Sequence, residues 1–192
     1  MNWKYLFNPF VKFSEISLLI VGLISIVIGS FIGNYFSVTF DGIIDAHSAS
    51  RSFLSSLKEN LINVILVFIV LSILGKIINS KTRLIDILNI SMIYRIPLYL
   101  SGLLINNPIL KSVSDQVAAN IDTPQNIKFE ALELVAILAI SSVLILLVIY
   151  SIVLLVKGFK TATNLKKWQH YVFFALAFIL AEVFSKIIIN NL

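Results

Sequence analysis

The chain has 192 residues, of which 58% are hydrophobic and 13% charged, where an ordinary soluble domain has roughly half and about a quarter. A net charge of +5 at pH 7 would suit a nucleic-acid binder, but the basic residues fall in short clusters between apolar runs and form no continuous basic face. The absence of cysteine excludes disulfides, thiolate metal sites and cysteine nucleophiles.

A bilayer core about 30 Å thick takes roughly 20 helical residues per crossing, because backbone amides there must pair within their own segment. Five stretches meet that demand: residues 16–35, 61–78, 85–105, 132–156 and 168–189. The first is too long for the core of a secretory signal, and Gly33, Asn34, Tyr35 and Phe36 supply no small-x-small cleavage site, so we expect a retained anchor. It also carries Ser25, Gly29 and Gly33 at intervals of four, a smooth stripe suited to close helix approach, either inside the chain or between copies.

The third stretch is the most polar, with Asp86, Asn89, Arg95 and Pro97, and the charge pattern decides that it spans. Lys4 and Lys12 precede the first stretch; Lys76, Lys81 and Arg83 lie between the second and third, and Lys157, Lys160, Lys166 and Lys167 between the fourth and fifth. These nine basic residues fall on one side if all five stretches cross; Arg51, Lys58, Lys111 and Lys128 fall on the other, among seven acidic residues. The positive-inside rule then puts the N-terminus in the cytoplasm and the C-terminus outside.

Between the third and fourth stretches, Asn107-Pro108 and Thr123-Pro124 each set a capping side chain before a proline. Ile109, Val113, Val117 and Ile121 recur every four residues, which predicts a short amphipathic helix at the outer interface. The fourth stretch exceeds the minimum if it starts near Pro124, and should tilt or project.

Arg95 stands near mid-membrane, where insertion of a charge costs roughly 2.5–3.5 kcal/mol. Glu182 enters from the same side in the fifth stretch, so we expect an interhelical or water-bridged pair between Arg95 and Glu182. The alternative is that Glu182 pairs with Lys186, four residues on, leaving Arg95 to backbone carbonyls near the proline. Pro97 removes an amide donor and favours a kink.

Enzymatic apparatus is missing from the sequence. His47 and His170 fall on opposite sides and neither lies in a His-Glu-x-x-His frame, and neither a Gly-x-Ser-x-Gly elbow nor a phosphate-binding glycine loop occurs. Trp3, Tyr5, Trp168 and Tyr171 suit an interfacial aromatic belt. We therefore expect no catalytic residue, cofactor or metal site.

The opening Leu6-Phe7-Asn8-Pro9-Phe10-Val11-Lys12-Phe13 resembles the proline-containing, aromatic approach to the first span in bacterial members of the Yip family, the Ypt/Rab-interacting membrane proteins. The turn from Lys81 to Asp86, leading to Tyr94-Arg95-Ile96-Pro97, resembles that family's basic turn followed by a mid-helix tyrosine and proline. The eukaryotic branch's long N-terminal region with its Asp-Leu-x-Gly-Pro element does not precede the first span here. The resemblance implies a small protein that acts through other proteins or lipids, and it transfers no catalytic residue.

The sequence thus predicts an all-α, five-span bundle forming one domain over residues 1–192, in a bacterial cytoplasmic membrane. Its expected partners are the lipid bilayer and other membrane proteins or a second copy of itself, with no nucleic acid. Its expected role is interaction or membrane organisation, related to trafficking in eukaryotic relatives. The alternative is a small permease or channel subunit with a polar path at Arg95 and Glu182.

Overall fold

The computed structural model describes residues 3–127 and 129–191, with the side chains of Trp3, Lys4 and Asn126 left out; Lys128, counted above on the outer side, and the charged and aromatic side chains of Lys4 and Trp3 thus lie outside the description. Among the described residues, five helical stretches are long and apolar enough to cross a membrane. A short helix α1 (Trp3–Phe7) and a 3-10 turn (Pro9–Val11) lead into α2 (Glu15–Tyr35). Ser14 caps α2 by accepting the Ser17 amide at 3.2 Å, satisfying one of the donors a helix start leaves free.

The second span, α3 (Phe53–Ile78), begins well before residue 61, where hydropathy predicted its start. Ser52 caps it by accepting the Ser55 amide at 3.2 Å. The added turns hold Glu59 and Asn60, which a hydropathy window counts against a span; both are buried, because protein and not lipid surrounds them.

The third span is two helices, α4 (Leu84–Ile93) and α5 (Ile96–Ile105), parted at Tyr94 and Arg95. Pro97 supplies the reason: it has no N–H for the carbonyl of Ile93, and its ring crowds that same carbonyl. The Arg95 amide instead turns back to Met92 at 3.2 Å, a tightened bond. Helix α6 (Pro108–Ala119) follows, capped by Asn107, whose Oδ1 accepts the Ile109 amide at 2.9 Å.

Helix α7 (Ala131–Thr163) has 33 residues and is about 50 Å long at 1.5 Å per residue, so it overshoots a hydrocarbon core of about 30 Å. It starts after a separate 3-10 turn at Pro124–Asn126, not at Pro124 itself, and it continues past 156 to take in Lys157 and Lys160. A capping box of Glu130 and Glu133 opens it, and Asn164 closes it in the left-handed region at φ 52°. Helix α8 (Trp168–Asn190) completes the bundle.

Helix α2 packs on α3, α4 and α5; α3 also meets α8, and α7 covers α4 and α5. Arg83 bonds Glu15 at 2.8 Å, Asn79 donates to the Thr163 carbonyl at 3.2 Å, and Asn8 donates to Thr161 at 3.0 Å. These contacts gather the N-terminal segment and the two lysine-rich turns at one end. The polarity is inverted relative to a water-soluble domain: Ile24, Phe31, Leu138, Leu146 and Phe184 point outward, while Asn60, Asn63, Arg95 and Ser185 are wholly enclosed.

Candidate functional site

The first half of the connection between α2 and α3 runs inside the bundle and not over its surface. Residues Val38 to Ile43 are buried, and a two-residue hairpin, β1 (Val38–Thr39) against β2 (His47–Ser48), pairs Val38 with Ser48 and Thr39 with His47 at its neck. Such irregular backbone carries free N–H and C=O groups, and among apolar helices each needs a partner. The polar residues of three spans supply them.

Asn63 on α3 donates to the Phe40 carbonyl at 2.6 Å, and Ser185 on α8 donates to the Asp41 carbonyl at 3.0 Å while also contacting Asn63. Thr39 donates to Glu59 at 2.8 Å, and Arg51 holds the other carboxylate oxygen of Glu59 at 2.8 Å. Tyr94, at the break between α4 and α5, donates its hydroxyl to the Ile43 carbonyl at 3.0 Å.

Arg95 is wholly buried and spends its guanidinium on neutral acceptors. Nη1 donates to the carbonyls of Gly42 at 3.2 Å and Ile43 at 3.3 Å, Nη2 to Asn60 Oδ1 at 3.2 Å, and Nε to the Tyr99 hydroxyl at 3.1 Å. The Tyr99 ring also lies beneath the cation, 5.4 Å from centroid to Cζ. Breaking the span at this point is what frees Arg95 to turn toward the loop.

Glu182 reaches the same loop from α8. Its Oε2 accepts the amides of Ile43 at 2.7 Å and Ile44 at 3.2 Å, and its Oε1 lies 3.6 Å from Lys186. No direct ion pair joins Arg95 to Glu182 among the described residues; the Gly42–Ile43 and Ile43–Ile44 peptide groups lie between them. Each peptide turns its carbonyl toward the cation and its N–H toward the anion, the favourable sense for a dipole between opposite charges. The carbonyls that compensate Arg95 therefore belong to the inserted loop and not to the turn before Pro97.

The glycines are placed for this packing. A methyl on Gly42 would meet Glu182 Oε1 well inside contact distance and Asp45 Cβ at 2.7 Å, so only the bare backbone lets the carboxylate approach. A methyl on Gly29 would lie 2.5 Å from the Tyr99 ring, which must sit there to accept from Arg95. Ser25, Gly29 and Gly33 are all buried within the chain.

At the mouth of the loop, Lys186 bonds Asp45 at 2.5 Å. Burial raises the Asp45 carboxyl pKa, but the Lys186 hydrogen bond and charge, with smaller help from the Ala46 amide and His47, outweigh it and hold the group below the usual aspartate value. Asp41, Asp45 and Glu59 are three of the seven acidic residues that the sequence sets on the outer side, and nothing local in the sequence marks Asn60, Asn63 or Ser185. The available signal was the coincidence of those polar residues with a connection that itself contains Val38, Phe40, Ile43 and Ile44.

No family model, no curated protein and no solved structure matches the chain.

Proposed function

We propose that the chain is a non-catalytic, multi-pass protein of a bacterial cytoplasmic membrane, Yip-like in type, which acts by organising membrane or binding other membrane proteins. Its N-terminus is cytoplasmic and its C-terminus outside. Support for the membrane setting comes from the outward apolar faces of five long helices and from the gathering of the lysine-rich turns at one end.

The observation that carries a structural role over conduction is the sealing of the polar core. Arg95, Asn60, Asn63 and Ser185 are each 0% exposed; Arg95, Asn63 and Ser185 hold the inserted loop, and Asn60 holds Arg95. A permease needs polar groups that water and solute can reach at mid-depth; an organiser needs a rigid bundle with fixed outer surfaces. The partners are the bilayer and neighbouring membrane proteins or a second copy, and nucleic acid has no part.

Reconstitution into liposomes tests this. Proton and small-solute flux at the level of protein-free vesicles, equal for the wild type and Arg95→Ala, is the expected result. Flux above that level which Arg95→Ala abolishes would replace the organiser with a permease or channel.

A further inference from the structure

Asp41, Asp45 and His47 occupy no metal-binding frame in the sequence, yet the loop brings them together. Thr39 pairs with His47 across the hairpin, so the chain doubles back and sets His47 beside the residues following β1. One donor atom from each of the three lies within 4.8 Å of the others. Asp41 Oδ1 and His47 Nδ1 are 3.3 Å apart, the edge length of a tetrahedron with metal–ligand bonds of about 2.0–2.1 Å.

A second observation separates this group from an ordinary acidic cluster. The Asp41 side chain is only 9% exposed, and its Oδ1, the atom facing His47, has no hydrogen-bond partner. A buried carboxylate oxygen without a partner has given up its hydration with nothing to replace it. The neighbouring cations are already engaged: Lys186 holds Asp45 and lies near Glu182, Arg51 holds Glu59, and Arg95 is bound by carbonyls and Asn60. Asp41 is left facing the His47 imidazole, 3.3 Å away.

We propose that Asp41, Asp45 and His47 form a binding site for a divalent transition-metal ion of the zinc class, at the end of the bundle opposite the lysine-rich turns. One nitrogen and two carboxylate oxygens suit such an ion, with a water in the fourth position. Each Asp45 oxygen keeps a lone pair after accepting from Lys186 or from the Ala46 amide at 2.8 Å. Lys186 and the amide orient that carboxylate from behind, as outer partners do in metal sites. His47 is half-exposed and can swing inward by the small distance that closure requires.

The site would tie the neck of the hairpin to the loop that Arg95 and Glu182 grip, so bound metal would rigidify the outer face. The test is calorimetric titration of the full chain in nanodiscs, stripped with EDTA, using zinc chloride, with empty nanodiscs as blank. One saturable Zn2+ per chain is expected, weakened about tenfold or more by His47→Gln and by Asp41→Asn. His170→Gln, at the other end of α8, should leave the affinity unchanged. His47→Gln alters an exposed side chain and keeps the test valid if Asp41→Asn does not fold. The absence of saturable binding, equal affinity in His47→Gln and wild type, or equal competition by excess Mg2+ would each overturn the proposal.

Discussion

Arg95 and Glu182 hold one peptide group from opposite ends: the Gly42 carbonyl accepts from the guanidinium at 3.2 Å, and the Ile43 amide donates to the carboxylate at 2.7 Å. The next peptide repeats the arrangement, with Ile43 O at 3.3 Å from Arg95 and Ile44 N at 3.2 Å from Glu182. Two charges that would be expensive apart in an apolar bundle are therefore coupled through the backbone they immobilise.

This coupling distinguishes itself from a direct ion pair under charge reversal. Arg95→Ala should destabilise the fold by about 3–5 kcal/mol, since it leaves the Gly42 and Ile43 carbonyls, Asn60 Oδ1 and the Tyr99 hydroxyl without their shared buried donor. Glu182→Gln keeps an acceptor and should cost about 1–3 kcal/mol. The double variant Arg95→Glu/Glu182→Arg should show no recovery, because the new carboxylate would face carbonyls and the new guanidinium would face N–H groups. Unfolding by SDS in mixed micelles measures all three, and a double variant near wild-type stability would mean that the two side chains meet directly.

Much of this architecture was legible in the chain itself. The five apolar runs, the lysine-rich turns and Pro97 each have a local physical meaning that needs no tertiary context. The inserted loop did not, for two reasons. Hydropathy treats Glu59, Asn60 and Asn63 as liabilities in a span, whereas Asn63 is the partner of the buried Phe40 carbonyl, Glu59 of the Thr39 hydroxyl, and Asn60 of Ser30 and Arg95. And Val38 to Ile44 has neither the length of a span nor the periodicity of a helix, so its apolar residues carry no local signal; Tyr94, Arg95, Ser185 and Glu182 converge on it only in the folded chain. The Asp41, Asp45 and His47 group was hidden for the same reason, since the hairpin and not the spacing creates it.

The pH response of the outer contact follows from Asp45. Its folded pKa lies below the ordinary value of 3.8, so the group contributes stability above that value and loses it as pH falls through the folded pKa. The stability difference between wild type and Asp45→Asn should accordingly be constant from about pH 5 to 8 and shrink only below the ordinary aspartate pKa. Because both partners are 41% exposed, the difference should be small and diminish with salt. A difference that vanishes near neutrality would show that another group governs this contact.

Orientation in the membrane can be read by thiol labelling, since the native chain has no cysteine to interfere. In intact cells a membrane-impermeant maleimide should react with Ser48→Cys and spare Ser80→Cys and Lys160→Cys until the membrane is opened. Labelling of positions 80 and 160 from opposite faces would break the five-span arrangement.

Ile43, whose peptide groups Arg95 and Glu182 both hold, is fully enclosed within the inserted loop at 0% exposure. Purified Ile43→Cys in nanodiscs should resist a water-soluble maleimide over a time in which Ser48→Cys reacts fully, and adding Arg95→Ala should open it to rapid reaction. If the Ile43→Cys thiol reacts as fast as that of Ser48→Cys with Arg95 intact, the loop lies outside the bundle and Arg95 does not hold it.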